Sequence, residues 1–101
     1  MSQLEIAPRA EEQIRQIGTW WREHRSTSPS LFGNEMASAL EALAANPTAG
    51  VPYSVRRGVV VRRLLLQRTR YHVYFSYDED RDLVSVRAVW HGTRGSGPPL
   101  R

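Results

Sequence analysis

The chain has 101 residues, one domain's worth, and can bury about two thirds of the surface that its unfolded form exposes. It has no cysteine, which excludes a disulfide framework and a thiolate metal site, and its ordinary apolar fraction of 41% contains no run long enough to span a membrane. Net charge is +4 and all fourteen basic residues are arginine, so a polyanionic or strongly acidic partner is expected. No apolar secretion core stands at the N-terminus, and a cytoplasmic location is the expectation.

Leu4-Glu5-Ile6 is a short alternating piece suited to an edge strand. Pro8 sits where a first helical position would, and Glu11 and Glu12 follow where acidic groups suit the helix dipole. Ala10, Ile14, Ile17, Trp21 and His24 then make a helical stripe, with an end expected near Arg25. Ser28-Pro29 reads as an N-cap and first position of a second helix. Its apolar positions are Phe32, Met36, Ala39, Leu40 and Leu43, and Asn46-Pro47 stops it. So short a connection makes the two helices an antiparallel hairpin. Thr48 to Arg57 reads as a crossing loop.

Three runs rich in Val, Leu, Tyr and Phe follow: Val59 to Leu66, Tyr71 to Tyr77, and Leu83 to Trp90. Their short polar connectors force antiparallel neighbours. In the third run Val84, Val86, Ala88 and Trp90 are expected on one side, and Ser85, Arg87 and His91 on the other. The expected fold is α+β: a short N-terminal strand, then an antiparallel helical hairpin packed on one face of an antiparallel β-meander. Residues 1–92 form the single domain, and 93–101 a flexible basic tail rich in glycine and proline. The acidic turn Asp78 to Asp82 reads as a solvated hairpin loop, too short for a calcium site.

The segment VRRLLLQRTRYHVYFSYDEDRDLVSVRAVWHGTRG resembles the C-terminal half of the RelE/ParE superfamily of toxins from type II toxin–antitoxin modules. LEIAPRAEEQIRQIGTWW is similar to that family's first strand and helix, and ANPTAGVPY to its join between second helix and sheet. The ending VWHGTR looks more like the ParE branch. The resemblance implies a toxin that inhibits DNA gyrase by direct binding and is neutralised by a cognate acidic antitoxin. The alternative it implies is a RelE-like endonuclease that cuts mRNA on the ribosome; a toxin-like fold without toxicity is a third class. No cofactor or metal is implied, and a higher-order toxin–antitoxin hetero-oligomer fits the family.

Under the nuclease alternative, Arg62, His72, Tyr74, Arg87 and His91 would supply the acid–base groups and the phosphate-binding cations. Arg87 and His91 would then share the open face about 13 Å apart, too far to cooperate directly. Ala88 stands where many relatives carry an arginine, and lysines common around the phosphate in several nuclease relatives are absent. For the antitoxin the candidates are Trp20, Leu31, Arg62 and Arg63. Trp20 lies about 100° around the helix from Trp21, so it either packs at the sheet margin or is left for a partner. Of Arg62 and Arg63, one faces the open side; the other reaches the sheet edge or pairs with Glu35 or Glu41. Target contacts are expected from Arg68, Arg70, His91 and Arg94.

Overall fold

Seven elements follow one another in the computed structural model, which describes residues 1–92, 98 and 100. They are β1 (Gln3–Ile6), α1 (Pro8–His24), α2 (Leu31–Ala45), β2 (Val51–Arg56), β3 (Val59–Leu65), β4 (Tyr71–Asp78) and β5 (Leu83–His91). The strands form one sheet in the order β1-β5-β4-β3-β2. The β3–β4–β5 meander is antiparallel, as its short connectors require, while β1 joins the outer edge of β5 in parallel. Parallel neighbours cannot be joined by a tight turn, and here the helical hairpin, β2, β3 and β4 all lie between β1 and β5 in the chain. Backbone bonds from Gln3 to Asp82 and from Ala7 to Val86 fix both ends of β1.

Val51 to Arg56 is a strand and not a loop, antiparallel to β3. Pro52 is tolerated because β2 lies at the sheet edge, where its missing N–H costs no ladder bond. The second helix starts at Leu31, after a turn containing Pro29, and its N-cap Ser30 makes no side-chain bond. Leu31 N–H donates back to Ser28 O at 3.3 Å, so Pro29 serves the turn and not the first helical position.

The helices cover one face of the sheet. Ala10, Trp21, Phe32, Met36, Ala39 and Leu43 meet Leu66, Val73, Phe75, Val84, Val86 and Val89 in the main core. Ile14 and Ile17 are half-buried against it. His24, expected in the helical stripe, is exposed and stacks on Trp20 instead.

One feature of β5 sets the rest. Tyr74 pairs with Ala88 but Phe75 pairs with Val86, so Arg87 is an extra residue, a β-bulge. Before the bulge Val84 and Val86 face the helices; beyond it Val89 does. Ala88 turns to the opposite face, where it packs with Val61, Tyr74, Leu100 and the partly buried Trp90. The expected grouping of Val84, Val86, Ala88 and Trp90 on one side is therefore broken after Val86. The open face is not wholly polar either, since it carries this second apolar cluster. Of the tail, residues 93–97, 99 and 101 lie outside those described; Pro98 and Leu100 are buried.

Candidate functional site

The open face gathers Arg63, His72, Tyr74, Ser76 and Arg87. Arg63 lies opposite Tyr74 across β3 and β4, which puts both side chains on one side. The guanidinium of Arg63 sits 5.2 Å over the ring of Tyr53. Tyr53 in turn meets Tyr74 edge-on at 4.8 Å, and His72 lies 6.1 Å from Tyr74. The bulge aims Arg87 across β4, where its Nε donates to Ser76 Oγ at 2.9 Å and leaves the rest of the fork for an anion. Burial, followed by the charges of Arg63, Arg70 and His91, holds the His72 imidazole below its ordinary value of 6.5. At neutral pH that ring is neutral and able to accept a proton. Tyr74 is only 2% exposed, so its phenol is a packing group with little surface for a substrate.

Arg62 and His91 are not part of this face. Arg62 pairs with Phe75, hence on the helical side, and donates to the carbonyl of Thr48 at 3.3 Å. Of the two expected alternatives, pairing with Glu35 or Glu41 is not found among the described residues. Glu35 accepts instead from Arg68 N–H, Thr69 N–H and Thr69 Oγ1 at 2.7, 3.0 and 2.6 Å, holding the β3–β4 turn. His91 pairs with Tyr71 and meets its ring at 4.9 Å. Tyr71 belongs to the helical side: it touches Phe32 at 5.2 Å and accepts from Trp21 Nε1 at 3.4 Å. The bulge has thus moved His91 to the face opposite Arg87, and the expectation that the two share a side is overturned.

His91 lies instead in a cleft at the C-terminal end of α1, with Trp20, Trp21, Arg25, Arg68 and Tyr71 among its walls. Trp20 is 41% exposed, and Arg25 lies 5.2 Å from its ring and 5.7 Å from that of Trp21. Leu31 packs half-buried on the core, so less of it is presented than of Trp20. Arg68 and Arg70 are exposed on the β3–β4 turn, where Arg70 has φ 69°. Arg94 lies outside the described residues. Sequence reasoning passed over Arg25 and Tyr53. Arg25 was signalled by its i,i+4 spacing from Trp21, and Tyr53 by the alternation Val51-Tyr53-Val55.

Comparison with solved structures places the fold. The isolated E. coli RelE toxin superimposes with a TM-score of 0.61 at 16% identity, over 95% of this chain and 89% of that one. The RelBE2 toxin–antitoxin complex from Mycobacterium tuberculosis gives 0.58 at 17% identity, over 89% of this chain and 96% of the matched one. A comparison with curated protein sequences finds no match. The sequence profile described as "ParE toxin of type II toxin-antitoxin system, parDE" matches residues 4–95, from β1 through the whole sheet. With two helices laid across one face of a sheet of this order, and that profile spanning all of it, the chain belongs to the ParE toxin family of type II toxin–antitoxin systems.

Proposed function

We propose that this toxin acts by docking on DNA gyrase and is silenced by a cognate acidic antitoxin. The observation that carries this reading is the match of the ParE profile across residues 4–95. The geometry supports it, because the residues a nuclease would need are split between two faces. His72, Tyr74 and Arg87 lie on one side, Arg62 and His91 on the other, with the sheet between them. General acid–base chemistry needs its groups within hydrogen-bond reach of one reacting atom, and these cannot all reach one. The exposed Trp20, flanked by Arg25, is the anchor on which an amphipathic antitoxin segment bearing carboxylates would seat.

The second reading, cleavage of mRNA on the ribosome, is favoured by one feature. His72 is held neutral beside Arg63 on the open face, a base next to a cation. Two assays on the pure protein decide between them. Incubation with gyrase and supercoiled plasmid should inhibit supercoiling or trap cleaved DNA, while mRNA on programmed ribosomes stays whole. Cleaved message, lost in His72→Gln, with gyrase unaffected, would reverse the assignment.

A further inference from the structure

Between Ala42 and Tyr77 the chain carries six arginines and not one carboxylate, more positive charge than the whole molecule's net +4. Arg56 and Arg57 stand at the tip of the β2–β3 hairpin, exposed, and neither forms an ion pair among the described residues. The turn is a two-residue one with Arg57 at φ 52° and Gly58 at φ 78°. Turns of this kind favour Asn or Gly at the first of these positions. An arginine there costs stability, and a backbone outlier of this sort points to a use for the side chain.

The tip stands apart from β4. β4 pairs with β3 only over Arg62–Leu65, so Val59 and Val60 pair with β2 alone, while Val61 is buried on Tyr74, Ala88 and Leu100. Val59 and Val60 at about 3.3 Å each, with the turn beyond them, give a two-stranded arm about 10 Å long. Val55, Val59 and Val60 on it are 66%, 41% and 43% exposed. At the base of the arm lies a cavity of about 510 Å³ lined, among the described residues, by Arg56, Arg57, Val59, Val61, Arg87 and Leu100, none of them acidic. The carboxylates of Glu5, Asp78 and Glu79 line a neighbouring cleft, between Val60 and β4, that shares Val59 and Arg87 with this cavity. The bulge that removes Arg87 from His91 thus delivers it to the two hairpin arginines.

We propose that this arm and cavity form a binding site for the backbone of duplex DNA. Three guanidinium groups around an apolar floor suit a phosphodiester and its sugar, and arginine forks phosphate bidentately. A two-stranded ribbon of this reach matches a major groove about 8.5 Å deep and about 12 Å wide, whereas the major groove of an RNA duplex is too narrow to admit it. An acidic peptide is disfavoured as a strand added to this edge. Pro52 has no N–H and the pairing is irregular at Tyr53, which interrupts the outer edge of β2. The site stands whether or not gyrase is the target, because binding to DNA alone is read without gyrase.

Fluorescence anisotropy with the full chain would use a labelled DNA duplex, an RNA duplex of matching sequence and a glutamate-rich peptide of equal charge. Arg56→Gln combined with Arg57→Asn keeps the turn, since Asn accepts φ above zero, and a circular-dichroism melt checks the fold. The double variant should lose about tenfold or more in DNA affinity. The slope of log affinity against log salt should shrink by about 1.8, the share of two phosphate contacts. Arg87→Gln should lose affinity too, and Arg15→Gln on α1 should not. DNA affinity and slope unchanged in both arm and Arg87 variants would overturn the site, as would RNA or peptide bound as tightly as DNA.

Discussion

Glu35 is a residue whose role only its contacts reveal. Burial pushes its carboxyl up, but three hydrogen bonds from Thr69 and the Arg68 backbone, with the Arg68 charge, outweigh it and hold the group below its usual 4.5. Glu35→Ala would leave the N–H groups of Arg68 and Thr69 without that acceptor and should cost about 1–3 kcal/mol, read as a lower urea midpoint. His72 shifts in the same direction but from burial and neighbouring cations. Its unfolded form binds a proton between the folded value and 6.5 that the folded form does not. Stability is therefore full above that window and falls as pH drops through it. Between about pH 7.5 and about pH 5, His72→Gln should lose less stability than the parent; equal losses would contradict the shift.

At the scale of elements, the entry and tip of β2 depend on special backbone. Gly50 has φ 78°, and a Cβ there would stand 2.3 Å from the carbonyl oxygen of Arg63. Gly50→Ala meets the left-handed penalty of about 1–2 kcal/mol and a backbone clash as well, so β2 should detach from β3. A drop in Tm with loss of hydrogen-exchange protection confined to residues 51–63 is the expected result. Equal protection in both proteins would show that the strand tolerates the change. In the first half of α1, Gln13 Oε1 accepts from Val89 N–H at 2.8 Å, satisfying a donor just past the bulge where β1 has ended. The bulge is thus supported by a helix as well as by β4.

Across the whole molecule the sheet is a partition, with helices and the Trp20–His91 cleft on one side and the arginine-rich face on the other. The second side has its own small core, closed by Leu100, which is 6% exposed among Val61, Tyr74 and Ala88. Leu100→Ala should therefore destabilise by about 2 kcal/mol despite its place one residue from the end. A thermal melt indistinguishable from the parent would mean that the contact adds nothing. The family assignment rests on this molecular scale, since the ParE profile runs from β1 through β5 and no single motif would carry it.

Local pattern was enough for both helices, the three central strands and the two-layer arrangement. Spacing of Ala10, Ile14, Ile17 and Trp21, and of Phe32, Met36, Ala39 and Leu43, can be satisfied only by helices against an apolar face. What the tertiary structure alone decided was parity and pairing. Leu83, Val84, Val86, Ala88, Val89 and Trp90 put apolar groups at both parities of β5, so no local signal marks where one residue is inserted. The insertion appears only when β5 is laid against β4, and it sends Arg87 and His91 to opposite faces. Register belongs to two strands at once, and one strand's sequence cannot express it.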